Sequence, residues 1–207
     1  MIRAESVHID GPSGPIEAIV EDPEHSVGAY AVICHPHPMY GGTMDNKVVT
    51  TVARALNLCS ISTVRFNFRG VGGSPGVFDH GIGETADAAA VAGFAAARWP
   101  SRAMIIAGFS FGGYVAVRLA RLHVAETLIA IAPAVHLFAP DTGAPSCPTV
   151  IIQGDADDVV DPTAVIGWAS ALSPAARLVV LPGVGHFFHG RLLDLRDAVI
   201  DAMRNNG

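Results

Sequence analysis

The segment Gly108-Phe109-Ser110-Phe111-Gly112, extended by Gly113, constrains this chain more than any other. It lies between a strand-like apolar run, Met104 to Ala107, and a helical pattern that begins at Phe111. A serine held on so sharp a turn needs a strained backbone, and side chains two residues before and after it would collide. Glycine at 108 and 112 removes those side chains. The turn lifts the Ser110 hydroxyl above the sheet and aims the first free N–H groups of the next helix at the space beside it. Ser110 is therefore a candidate nucleophile.

A serine hydroxyl is weakly nucleophilic at neutral pH and needs an adjacent base. His186, in Gly183-Val184-Gly185-His186-Phe187-Phe188-His189, follows the last predicted strand and is the candidate. His189 is its rival, but its position predicts entry into the final helix. An imidazole acting as base needs a carboxylate to fix its tautomer. Gln153 to Asp161 offers four acids, Asp155, Asp157, Asp158 and Asp161, and spacing alone does not choose among them. Asp161, before Pro162, is a natural helix N-cap.

Apolar, β-rich runs alternate with segments of helical spacing. Strands are predicted at 2–9, 15–21, 29–34, 61–68, 104–109, 127–132, 149–153 and 178–181. Helices are predicted at 45–58, 84–98, 111–122, 164–172 and 192–203. Such alternation means a mostly parallel sheet with helices on both faces, and ligands then bind at the carboxyl ends of the strands. The sixteen residues between 132 and 149 are too few for a large cap domain, so only the segment around His136-Leu137-Phe138 could cover the site. A single domain spanning 1–207 is expected.

The loop His35-Pro36-His37-Pro38-Met39-Tyr40-Gly41-Gly42 is placed to donate one N–H to an oxyanion, with the Phe111 N–H as the other donor. Pro36 and Pro38 have no N–H, which leaves His37 and Met39. His35 and His37 share a strand face but have no obvious third ligand, so no metal site is expected. Arg69 reads as a tie between loops, and His136 as a residue that could line the pocket. His8, His25, His80 and His123 read as surface or packing residues. Cys34, Cys59 and Cys147 form no disulfide or zinc pattern.

The formal net charge of -6 gives no electrostatic reason to expect nucleic acid or an anionic membrane as partner. With no signal-peptide pattern and no apolar run of membrane-spanning length, a cytoplasmic protein is expected.

At these residues the chain resembles the α/β-hydrolase superfamily, in its small cap-less branch near the dienelactone hydrolases. The resemblance rests on His35-Pro36-His37-Pro38 with Gly41-Gly42 and Asp45-Asn46-Lys47, on Phe66 to Gly72, on Gly108 to Gly113, on Gly154 to Val160, and on Gly185 to Phe188. In that family the acid stands three places after a glycine in G-x-x-D-x-V-V, which implies Asp157. Ser110 stands where the dienelactone hydrolases carry cysteine. The implied activity is that of a serine hydrolase cleaving small carboxylic esters through an acyl-enzyme, without a cofactor. A thioesterase or acyltransferase of the same fold, or a non-catalytic binding module, are the alternatives, and oligomeric state is left open.

Overall fold

The computed structural model describes residues 1–26, 28–138 and 144–204. In chain order, β1 (Ile2–Gly11) and β2 (Gly14–Pro23) form a hairpin. β3 (Ala29–Cys34) leads to α1 (Lys47–Leu58), β4 (Ser62–Phe66) to α2 (Ile82–Arg98), and β5 (Ala103–Phe109) to α3 (Phe111–Leu122). Then come β6 (Thr127–Ile131), β7 (Thr149–Gly154), α4 (Pro162–Ala171), β8 (Arg177–Leu181) and α5 (Leu192–Arg204). The eight strands make one sheet in the order β1-β2-β4-β3-β5-β6-β7-β8. β1 is antiparallel to β2, and β2 to β4; every later pairing is parallel.

Period-two alternation sorts the central strands between two cores. Along β5, Ile105, Ala107 and Phe109 meet Val49, Val52 and Leu56 of α1 and Val199 of α5. Met104 and Ile106 face the opposite way, with Val91 and Ala95 of α2 and Leu119 of α3. α4 packs Val165 and Ala169 against Ala130 and Ile151. A strand covered on both faces must be apolar throughout, and the run Tyr30 to Cys34 is buried along its length. Between β6 and β7 the described residues hold only a single 3-10 turn, Val135–Leu137, while 139–143 lie outside the described residues. Among the described residues, no large cap covers the carboxyl edge of the sheet.

Several element boundaries shift by one or two residues from the sequence expectation, and at three of them the local contacts stand out. α1 begins at Lys47 because the Asn46 side chain caps the Val48 N–H at 2.9 Å, while Asp45 pairs with Arg65 instead. α2 begins two residues early at Ile82, where Glu84 reaches back to the N–H groups of Asp79 and Gly81. β4 ends at Phe66, although Asn67 N–H still donates to the Glu17 carbonyl of β2 at 2.9 Å, while the Asn67 side chain accepts from Met44 N–H at 2.8 Å and donates to the Glu17 carboxylate at 2.7 Å.

Two buried ties hold the loops at the carboxyl ends of β3 and β4. Arg69 grips Asp87 of α2 through two side-chain hydrogen bonds of 2.9 and 2.8 Å, which makes it a strut between loop and helix. His35, fully buried, donates from Nδ1 to the Pro36 carbonyl at 2.6 Å and accepts the Phe68 N–H on Nε2 at 3.0 Å. Both ring nitrogens are thus engaged in the neutral form. Burial drives this imidazole down to about 4, although the bond to Pro36 favours the charged form.

An unfolded chain takes up the His35 proton near the ordinary imidazole pKa of ~6.5. The folded chain resists until about 4. Stability therefore falls as pH drops through that window and is unaffected by this residue above it. Urea unfolding at about pH 7.5 and about pH 4 should give an acid loss smaller by about 3 kcal/mol in His35→Gln than in the parent protein. Equal losses in the two proteins would count against the buried neutral imidazole.

Candidate active site

Ser110 occupies the turn between β5 and α3 with φ 57° and ψ -117°, a left-handed conformation that no ordinary L-residue favours. Three hydrogen bonds hold it there. Its N–H donates to Ile131 at 2.9 Å, and its carbonyl accepts from Ala134 at 3.1 Å and Tyr114 at 3.2 Å. The flanking glycines act by close approach. A Cβ on Gly108 would run into the Gly112 carbonyl, and one on Gly112 into the carbonyls of Cys34 and His35. The second collision ties the elbow to the end of β3, which spacing along the chain does not reveal.

His186 arrives on the loop after β8, and Asp157 on the loop after β7. His186 Nε2 lies 3.0 Å from Ser110 Oγ, and Nδ1 lies 2.8 Å from Asp157 Oδ2. All three residues are buried. An ionised carboxylate only accepts, so His186 carries its proton on Nδ1 and presents the Nε2 lone pair to the serine. Asp157 accepts four hydrogen bonds in all. Val159 and Val160 N–H bind Oδ1 at 2.9 and 2.8 Å, and Gln153 Nε2 joins His186 on Oδ2 at 3.1 Å. Burial pushes this carboxyl up, but the His186 bond and the backbone donors outweigh it and hold it below the usual carboxylate range.

The remaining acids of the loop have other partners or face solvent. Asp155 accepts the Gly183 N–H at 2.6 Å, Asp161 caps α4 at Thr163 N–H at 2.9 Å, and Asp158 is exposed. His189 does not enter the last helix. Gly190 adopts a positive φ and α5 starts only at Leu192, so His189 stays exposed on the loop, its ring near Phe187.

Sequence reasoning did not single out Gln153, fully buried at the end of β7. Its Nε2 donates to both Asp157 and the Gly154 carbonyl, while its Oε1 finds no partner among the described residues. The signal was an amide placed directly after Val150-Ile151-Ile152, where burial demands a polar partner.

A cleft of about 290 Å³ opens above Ser110 and His186, bounded by His37, Tyr40, Asn46 and Phe187. The Phe111 N–H, first of α3, has no intrahelical acceptor. The Met39 N–H is engaged by His37 Nδ1 at 3.2 Å. No acceptor for the His37 N–H occurs among the described residues. His136 is exposed on the turn 135–137, whereas His80 lines a neighbouring hollow. Among the described residues no three His, Cys, Asp or Glu side chains converge as metal ligands, and no helix is long and apolar enough to cross a membrane.

The family model for serine aminopeptidase, S33, matches residues 29–144, which includes the elbow. A serine α/β hydrolase without a lid from Xanthomonas campestris is 44% identical, with a TM-score of 0.93 over 98% of this chain and 94% of that one. An α/β serine hydrolase homologue from Coxiella burnetii is 40% identical, with a TM-score of 0.92 over 96% and 97% of the two chains. A Rickettsia prowazekii protein is 34% identical over 94% of this chain and 87% of its own length. By sequence and by architecture, the chain belongs to the α/β serine hydrolases, in the branch that has no lid.

Proposed function

We propose that this protein is a carboxylic-ester hydrolase in which Ser110 is the nucleophile, His186 the general base and Asp157 the group that orients the imidazole. The observation that carries this reading is the unbroken hydrogen-bonded line from Ser110 Oγ through both His186 nitrogens to Asp157. Ser110 Oγ attacks the ester carbonyl carbon as its proton passes to Nε2. The carbonyl π pair moves to oxygen, giving an oxyanion beside the Phe111 N–H. His37 is the better second donor of the two loop candidates, because the Met39 N–H is already engaged by the His37 ring. Collapse of the tetrahedral species breaks the carbon–oxygen bond to the alcohol, which takes the proton from Nε2. Water repeats the sequence on the acyl-enzyme and regenerates Ser110.

The role of Asp157 follows from its four donors. It remains an anion in the buried site, so it holds the Nδ1–H and stabilises the imidazolium each time Nε2 is protonated. The ester rather than thioester reading is supported by the cleft, whose ionisable linings among the described residues are His37, Tyr40 and His186. A polyphosphate-bearing acyl carrier would need cationic partners there.

A fluorophosphonate probe should label the parent protein at Ser110. Ser110→Ala should lose labelling and at least ~10⁴-fold in kcat on 4-nitrophenyl acetate, with an unchanged circular dichroism spectrum. Full activity in that variant would end the proposal. Asp157→Asn should cost roughly 10³- to 10⁴-fold in kcat, since the amide would offer His186 the wrong tautomer. Asp158→Asn should stay within about threefold of the parent. A reversal of those two results would assign the orienting carboxylate to Asp158.

A further inference from the structure

Beside the catalytic cleft lies a second hollow of about 450 Å³, and His37 and Tyr40 line both. Its floor consists of Phe111 and Tyr114, on the first turn of α3. The floor is held from below and behind. Phe68 meets Phe111 edge-on at 6.0 Å. Arg118 sits 5.6 Å from the centre of the Tyr114 ring and also reaches its hydroxyl at 3.3 Å. Gly81 closes in on the same ring, so tightly that a Cβ there would collide with it. Phe78 forms one wall, its ring 5.6 Å from Phe111 and 4.8 Å from His37. No Asp, Glu, Lys or Arg is among the described residues that line the hollow. Burial lowers the His37 imidazole, Glu84 opposes, and His80 and His136 lower it further, so the net direction is toward the neutral ring.

We propose that this hollow is the acyl subsite and that it takes a neutral arylalkanoyl group, an aromatic ring joined to the ester carbonyl through a short carbon spacer. The inference rests on the ester-hydrolase reading, because the position of the leaving group decides which substituent enters which hollow. The departing oxygen must receive its proton from His186, which lines the first cleft and not the second. With the oxyanion at the Phe111 N–H, the acyl substituent is directed past His37 toward the aromatic floor. Ser110 does not line the second hollow, so a ring bonded directly to the carbonyl would fall short of it. A flat ring fits these walls because offset and edge-on packing against Phe78, Phe111 and Tyr114 adds stabilisation beyond the apolar area it buries.

The test compares kcat/KM for ethyl 3-phenylpropanoate and ethyl 3-cyclohexylpropanoate, which share spacer and alcohol and differ in ring character. The parent protein should prefer the aryl ester by about fivefold. Phe78→Ala should bring the ratio toward one, chiefly by raising KM for the aryl ester. Val77→Ala, whose residue is exposed beside Phe78 and lines neither hollow, should leave the ratio at the parent value. A ratio near one in the parent protein, with both esters hydrolysed, overturns the subsite and leaves the hydrolase reading standing. If no ester is hydrolysed, binding of 3-phenylpropanamide followed by NMR decides. Shifts at Phe78 and Tyr114 keep the aryl subsite while the hydrolase reading falls, and no shifts remove both.

Discussion

The rest of the site depends on one backbone conformation, that of Ser110. A serine at φ 57° and ψ -117° costs on the order of 1–3 kcal/mol, and it persists only because its surroundings leave the chain no alternative. Hydrogen bonds to Ile131, Ala134 and Tyr114 fix its peptide groups, so the elbow is held by β6, by the segment after β6 and by its own helix. The glycine at 112 lets α3 press against the carbonyls at the end of β3. That contact sets where the Phe111 N–H lies relative to the loop 35–42. Position of the hydroxyl and position of the proposed oxyanion donors are therefore one packing problem with one solution.

A buried imidazole–carboxylate pair poses the second constraint. Removing a carboxylate from water is costly, and the Coulombic attraction of one partner rarely offsets that cost alone. Here the offset comes from fixed dipoles. Two backbone N–H groups and the Gln153 amide converge on Asp157, so the anion is solvated by the protein before His186 contributes. The orphaned Gln153 Oε1 reflects the same priority, since turning the amide over would aim an oxygen at the carboxylate. Asp87 is buried too but meets a guanidinium, which neutralises it outright. The two carboxylates differ in consequence. Asp87 is a locked strut, whereas Asp157 keeps an accepting edge for a partner whose charge changes.

Much of this was legible in the sequence because it depends on local patterning. Alternation of apolar runs and helical spacing gave the order of strands and helices, and Gly108 and Gly112 marked the elbow. Residues whose role depends on partners distant along the chain were harder to read. The four acids of the loop after β7 look alike in sequence, and only the resemblance pointed to Asp157. In the fold they separate because Asp157 alone among them reaches His186. His189 was misplaced because the chain turns at Gly190 before the helix begins, and helical spacing carries no warning of that. His80 read as a surface residue and is exposed, yet it borders the aromatic hollow through a loop whose path the sequence does not dictate.

The sheet order divides labour across the site. The proposed nucleophile stands on the turn after β5, and its proposed base and orienting acid follow β8 and β7, both on one side of it. From the other side, the loops after β3 and β4 bring His37, Tyr40, Phe78 and His80. The proton-transfer groups need fixed distances, and they are buried among hydrogen bonds that supply them. The loops proposed to bind substrate need only shape and ring character, and they lie at the edge of the sheet beyond the carboxyl ends of β3 and β4. With no large cap among the described residues, the proposed discrimination rests on a rigid surface that favours one kind of group. A floor built on the first turn of α3 is rigid for the same reason that Ser110 is. The proposed selectivity and the proposed reactivity are thus anchored to the same strained turn, and loosening that turn would degrade both together.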